Sequence, residues 1–298
     1  MVERNCPVCF MEETKPLFTK EGFQYVRCVS CGMMYINPIP MSEEISETYD
    51  QLGKVYFTQP EKLRIDFASG RYDREIDLLT RSNAKGRLLD VGCSTGSFLA
   101  AAKRAGFVDV QGVDIAQPSV EFARRQGLTA HVGDFTHSIF PTAQFDVITM
   151  WATLEHLANP RDFVNEAYRV LRVGGVLAVS VPSIDSLTQI ILGRKYRYVS
   201  VNHLNYFDRR TMRRLLENAG FRVVRSQTRA INPLIIIGDL RAVQASTERQ
   251  ITDSTRTLEV KTKRRFALVR LAHRMVDQIL YLCGRGDLLL MAAQKPEA

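Results

Sequence analysis

The sequence contains no apolar run approaching the roughly 18 residues that a membrane-spanning helix needs, so no spanning helix is expected. Its first residues have no leader-like apolar stretch. Glu3, Arg4 and Asn5 run straight into Cys6, and the expectation is a cytoplasmic protein. Cysteine is scarce: six in 298 residues, with Cys93 and Cys283 isolated and the other four in two Cys-x-x-Cys pairs. That pattern speaks against a disulfide-built secreted scaffold and for a reducing compartment. There is one tryptophan, Trp151. Acidic residues are outnumbered, 32 against 40 basic, giving a net charge of +8. Hydrophobic residues at 45% and charged residues at 24% exclude whole-chain disorder. At this length a sizeable α/β core with smaller additions is expected.

The basic excess is concentrated in Arg209-Arg210-Thr211-Met212-Arg213-Arg214 and in Lys261-Thr262-Lys263-Arg264-Arg265. Such clusters attract nucleic acid, an anionic lipid or a phosphorylated metabolite, and they also serve as plain solvated surface.

The pairs Cys6/Cys9 and Cys28/Cys31 are separated by 18 residues, room for a small ribbon with FQYVRC extended before the second pair. Four thiolates at this spacing suit one tetrahedral Zn2+ ion. A ligand set made wholly of cysteine leaves no open position, so the zinc is expected to be structural and coupled to folding of the module. A redox pair is the alternative, disfavoured by two such pairs lying close together. Pro38 and Pro40 then form a hinge. Tyr49, Tyr56 and Phe57 precede a helical pattern running through Leu79, either as cover over a pocket or as packing against the core.

An apolar strand, 87–91, runs into the turn Asp90-Val91-Gly92-Cys93-Ser94-Thr95-Gly96 and a helix over 97–105. The glycines read Gly-x-x-x-Gly rather than the Gly-x-Gly-x-x-Gly of a dinucleotide site. Further strands are predicted at 110–113, 145–150, 176–181, 221–228 and 288–293, with helices at 161–171 and 212–219. A doubly wound sheet places its ligand at the carboxyl ends of the strands. LLDVGCSTGSFL (88–99), GVDIA (112–116), VGD (132–134), FDVITMWATLEHL (145–157) and LRVGGVLAVSVP (171–182), in that order, resemble the class I methyltransferases that use S-adenosyl-L-methionine. The resemblance covers about residues 85–229, with the cysteine pattern adding 1–35.

It implies an α/β, Rossmann-like seven-stranded sheet with an antiparallel last strand. The cofactor contacts it implies are Asp90 at the methionine end, backbone of Gly92, Cys93 and Gly96 around it, and Asp114 on the ribose hydroxyls. Asp134 takes the adenine amino group, with Ile115 and Phe135 against the ring, and Trp151 lies beside the methionine moiety or under a lid. The expected organisation is a zinc ribbon (1–37), a helical linker or lid (38–82), the cofactor-binding core (83–232), a helical insertion (233–284) and the final strand and tail (285–298). Within the insertion, helices at 233–245 and 264–282 serve as pocket cover, a homodimer contact or a peripheral membrane contact.

For proton transfer the candidates are His203, in VNHLNYF, and His156, with Glu155 orienting a histidine or holding a cation. The Glu155-His156 pair resembles part of a cation site in some ubiquinone-pathway O-methyltransferases. Those relatives carry a carboxylate where this chain has Ala152, so magnesium is not expected. The segment Arg194-Lys195-Tyr196-Arg197-Tyr198 reads as an acceptor-binding lid or a mobile basic loop. The acceptor expected from the resemblance is a small molecule: a hydroxyl of a sugar, a glycan precursor, including a lipid-linked glycan, or a secondary metabolite. An RNA methyltransferase is the alternative. It is weakened by the absence of an Asn-Pro-Pro-Tyr-like motif after the fourth strand and of a cysteine placed for pyrimidine C5 transfer. A noncatalytic S-adenosylmethionine-binding protein is the third reading.

Overall fold

The computed structural model describes residues 1–41, 44, 47–48, 51–137, 139–229 and 283–297. Tyr49 and the two helices expected at 233–245 and 264–282 lie outside the described residues.

The chain opens with three antiparallel strands, β1 (Thr14–Lys20), β2 (Phe23–Cys28) and β3 (Met34–Ile36). Two helices follow, α1 (Pro60–Asp66) and α2 (Asp73–Arg81). The single long helical pattern expected through Leu79 is therefore interrupted, at a turn holding Gly70 at φ +76°. The core then alternates: β4 (Arg87–Val91), α3 (Ser97–Arg104), β5 (Val108–Asp114), α4 (Gln117–Arg125), β6 (Thr129–Val132), β7 (Phe145–Trp151), α5 (Pro160–Val170) and β8 (Leu171–Pro182). β8 begins immediately after α5. No gap separates the helix expected at 161–171 from the strand expected at 176–181: Gly174-Gly175 lies inside β8. After α6 (Leu187–Leu192) come β9 (Asn205–Tyr206), α7 (Arg209–Asn218), β10 (Arg222–Arg229) and β11 (Leu288–Gln294).

The large sheet has seven strands in the order β10-β11-β8-β7-β4-β5-β6. β4 pairs parallel with β5 and β7, whereas β11 runs antiparallel between β8 and β10. Strand order reverses between β4 and β7, which opens the crevice where a doubly wound sheet takes its ligand. Alternation along β4 sends Leu88 into the layer of α2, α3 and α4, and Leu89 into the opposite layer of α5 and α7. Both faces are covered, which explains the nearly continuous apolar runs of the parallel strands.

The amino-terminal strands are not a free-standing unit. β3 pairs with β9, giving a four-stranded sheet β1-β2-β3-β9 that takes its last strand from the core. Cys6, Val26, Cys28 and Tyr35 are buried in one hydrophobic cluster with Met212, Leu215 and Leu216 of α7. Among the described residues no helix is long and apolar enough to cross a membrane.

Candidate functional site

The strand–turn–helix after β4 shapes one side of the crevice. Gly92 sits at φ +78°, and a Cβ there would come within 2.7 Å of Thr153 Oγ1. Gly92 N and Cys93 N donate to Val113 O at 2.8 and 3.2 Å, tying the turn to β5. Ser94 adopts φ +47°, and its N–H donates to Asp114 Oδ2 at 2.8 Å, while Ala116 N donates to Oδ1 at 2.8 Å. Burial raises the Asp114 pKa, and these backbone amides oppose the rise. Asp90 is buried and accepts from Thr149 Oγ1 at 2.6 Å. Burial pushes its carboxyl up to about 8, the Thr149 hydroxyl opposes that, and the charge of Asp114 adds to it. Burial also holds the Cys93 thiol well above its ordinary pKa, so it is no thiolate nucleophile.

These groups line a cleft of about 1560 Å³ together with Ile115, Asp134, Phe135 and Trp151. A drug-sized ligand site is roughly 300–1,000 Å³, so this space can hold a cofactor and an acceptor side by side. Asp134 Oδ1 accepts from Thr136 N and Oγ1 at 2.8 and 2.7 Å, which fixes the turn after β6. Trp151 stands edge-on to Phe98, with ring centroids 5.3 Å apart. Gly96 is not among the lining residues: a Cβ there would strike Leu128 and Ala123, so its small size lets α3 start close against α4.

The residues fit S-adenosylmethionine. Asp90 is a buried carboxyl whose ionised form a cationic ligand would stabilise. Asp114 is a rigidly held acceptor at a strand end, and the Gly92 turn packs so closely against Thr153 that only glycine fits beside the cleft.

The other side of the cleft is built from the turn after β7 and the segment before β9. Ala152 takes φ +52°, an uncommon conformation for a residue with a side chain and one concentrated at functional sites. The Glu155 carbonyl accepts from Leu204 N at 2.7 Å and Asn205 N at 3.0 Å. Asn205 Nδ2 donates back to Leu154 O and Leu157 O at 2.9 and 2.7 Å. Arg4, from the amino-terminal module, donates to Ala158 O and, at 2.8 Å, to Leu204 O. The stitching brings together three residues predicted from distant positions, Glu155, His156 and His203, with ligating atoms all within 4.8 Å of one another. His156 and His203 line the cleft, their rings 4.7 Å apart at 81°, and Glu155 is buried behind them. Burial raises Glu155 to about 8, lowers His156 to about 4 and takes His203 well below its ordinary value. Both imidazoles are thus neutral near pH 7, and weak bases.

Of the predicted lid, Arg194, Lys195, Arg197 and Tyr198 line the cleft. Tyr196 does not: it is 1% exposed and packs in the cluster with Tyr25 and Tyr206, so it is a core residue rather than part of a lid. Thr149, Thr153, Asn205 and Arg4 are site-building residues that sequence reasoning missed. Asn205 carried a signal, two residues beyond His203 in the polar stretch Asn202-His203-Leu204-Asn205.

The four amino-terminal cysteines converge. Cys6 and Cys31 Sγ are 3.5 Å apart, as are Cys9 and Cys28 Sγ, and all four sulfurs lie within 4.8 Å of one another. A disulfide needs about 2.05 Å, whereas tetrahedral zinc with Zn–S near 2.3 Å puts sulfurs about 3.8 Å apart. The set fits a closed structural zinc site. Backbone bonds from Phe10 N to Cys6 O and from Gly32 N to Cys28 O close the two knuckles.

Comparison with known proteins gives a match of residues 64–226 to the family described as methyltransferase domain. The chain is 31% identical over 172 residues to the demethylmenaquinone methyltransferase of Symbiobacterium thermophilum, covering 54% of this chain and 60% of that protein. It is 31% identical over 152 residues to the ubiquinone biosynthesis O-methyltransferase of Roseobacter denitrificans, covering 45% and 58%. The chain thus spans about three fifths of the length of each of these relatives. Among solved structures, an S-adenosylmethionine-dependent methyltransferase of Thermotoga maritima, described as a possible histamine N-methyltransferase, superposes with a TM-score of 0.55. The match covers 84% of this chain and 99% of that one at 16% identity, and shows the shared fold.

Proposed function

This chain belongs to the methyltransferase-domain family, and on that premise we propose that it methylates a small-molecule acceptor using S-adenosylmethionine. The observation that carries this reading is one cleft with two chemically different walls, Asp90, Gly92 and Asp114 on one side and His156 and His203 on the other. When bound, the cofactor supplies an electrophilic methyl group on a sulfonium. Asp114 accepts from the ribose hydroxyls, Asp134 from the adenine amino group, and Ile115 and Phe135 pack on the ring. Asp90 and the Gly92-Cys93 backbone hold the methionine end, with Trp151 beside it. The Glu155–His156–His203 wall positions the acceptor, so that alignment of the two reactants is the main contribution to rate.

The acceptor is a hydroxyl of a sugar, glycan precursor or secondary metabolite. The O-methyltransferase named among the relatives supports oxygen as the site. Arg194, Lys195 and Arg197 beside Tyr198 suit an anionic or ring-bearing acceptor.

The test is transfer from methyl-labelled S-adenosylmethionine into a fractionated cell extract and into a panel of sugars, lipid-linked glycans and quinols. Mass spectrometry then identifies the species heavier by one methyl. Asp114→Ala is the control, expected to weaken cofactor binding by about tenfold or more, since a hydrogen bond to a charged group contributes about 1.5–3 kcal/mol. Label in RNA, or unchanged cofactor affinity in the variant, counts against the reading.

A further inference from the structure

We propose that Arg71 is an oxyanion-binding residue of the cleft, acting beside Tyr198 and Arg197, and that the acceptor therefore carries a carboxylate or phosphate group. Its place in catalysis rests on the acceptor-wall assignment above; its anion binding does not.

Charge divides between the parts of the cleft. Asp90, Asp114 and Asp134 belong to the cofactor wall and suit a cationic ligand. Arg194, Lys195 and Arg197 come from the segment before β9, and Arg71 comes from the turn between α1 and α2. Glu21, Glu44 and Asp162 also line the cleft, but none of them pairs with Arg71. Glu75 and Asp66 lie close enough to Arg71 to be felt electrostatically, and Asp66 accepts from Lys62 instead. Among the described residues the Arg71 guanidinium makes no ion pair and no hydrogen bond.

Arg71 is exposed to the cleft, yet it is not a loose surface arginine. Its N–H donates to Ala68 O at 3.1 Å, and its Cζ lies 4.8 Å from the centroid of the Tyr72 ring. Tyr72 is itself fixed: its hydroxyl is 2.6 Å from Ser97 Oγ, and its ring stands edge-on to Phe98 at 5.3 Å. Phe98 in turn meets Trp151 at 5.3 Å. The guanidinium is thus held against an aromatic support that leads to the methionine end, with its fork of five donors uncommitted.

Tyr198 joins the two arginines, since its phenol lies within electrostatic reach of both Arg197 and Arg71. Burial raises its pKa, so at neutral pH it is a phenol that can donate. Its ring stacks on His203 at 5.8 Å and 9°, which places the group on the acceptor wall. Arg197 lines the cleft while only 8% exposed, adding positive charge where water is scarce. Carboxylate and phosphate oxygens match a guanidinium fork two at a time, and such charged pairs strengthen as water is excluded. An anion held there anchors the acceptor at a point away from the reacting atom, which favours alignment with the methyl donor.

The experiment uses the full, zinc-loaded chain saturated with S-adenosylhomocysteine and two matched pairs of probes, benzoate against benzyl alcohol and phenyl phosphate against phenol, with binding followed by calorimetry. At least one anion should bind about tenfold or more tightly than its neutral partner, the size of one hydrogen bond to a charged group. Which anion does so separates a carboxylate-bearing from a phosphate-bearing acceptor. Arg71→Ala should weaken that anion by about tenfold or more while S-adenosylhomocysteine affinity holds, and Arg71→Lys, which keeps the charge and loses the fork, should fall between. Two neutral probes bound as well as their anions overturn the inference, as does the absence of anion binding. Unchanged anion affinity in Arg71→Ala with native circular dichroism overturns it too. If Arg71→Ala does not fold, Arg71→Lys and the wild-type pairs decide. Methyl transfer confined to neutral acceptors overturns this inference and spares the proposed function. A selective anion site in a protein that transfers no methyl to any acceptor does the reverse.

Discussion

Asp90 shows how a single residue carries both a fold and a site. Its place on β4 opposite Thr149 of β7 buries a carboxyl that the parallel sheet would otherwise fill with an aliphatic side chain. Unfolded, it ionises near 3.8; folded, near 8. Between those values the folded protein holds a proton that the unfolded chain has shed, so Asp90 lowers stability as pH rises from about 4 to 8. Asp90→Asn keeps a partner for Thr149 and removes the titration. Calorimetric melting temperatures at pH 5 and pH 8 should therefore fall less with rising pH in the variant than in the wild type. Equal slopes would mean that Asp90 is not held protonated. Asp90 and Asp114 were legible as residues because each closes an apolar strand and opens a turn. Thr149 was not, since its value comes only from the register that sets it beside Asp90.

At the scale of elements, α7 begins with a capping box. Asp208 Oδ1 accepts from Thr211 N at 2.7 Å, and Asp208 N donates to Thr211 Oγ1 at 3.0 Å. The first turn contains Arg209 and Arg210 and no acidic residue, so the cap offsets an unfavourable charge at the positive end of the helix. Asp208→Ala should cost about 1 kcal/mol, read as a lowered urea midpoint at unchanged slope; an unchanged midpoint would show the cap contributes nothing. The basic cluster in which α7 sits is partly consumed by structure. Arg210 donates to Cys31 O at 3.1 Å, and Arg213 pairs with Glu217 at 3.2 Å. Charge clustering in a sequence shows that a surface is basic, but it does not show which of its charges already have partners.

At the level of the assembled chain, the zinc-type module braces the Glu155–His156–His203 wall of the cleft. β3 pairs with β9 two residues after His203, and Arg4 spans to carbonyls on Ala158 and Leu204. Arg4 also reaches Ile36 O, and burial lowers its pKa only to about 10, so it stays charged. Removing it leaves several buried carbonyls without their charged donor, each such bond contributing about 1.5–3 kcal/mol. Arg4→Ala should therefore lower the melting temperature and the methyl-transfer rate, while S-adenosylmethionine affinity measured by calorimetry holds, because Asp90, Asp114 and the Gly92 turn belong to other strands. Equal loss of cofactor affinity would contradict this division of labour.

The parallel-sheet core, the turn at Gly92 and the cysteine module follow from the linear order of residues. Each of these is local: apolar runs with period-two or helical spacing, glycines where φ must be positive, and thiol pairs close enough to share an ion. That β9 completes the amino-terminal sheet, that Tyr196 is core, and that Glu155, His156 and His203 meet emerges from the packing of the fold. The first and last of these join segments far apart in the chain through backbone hydrogen bonds, and Tyr196 is buried by side chains from distant strands. Backbone bonds of this kind are open to every residue but proline as donor, so they leave no mark in the sequence.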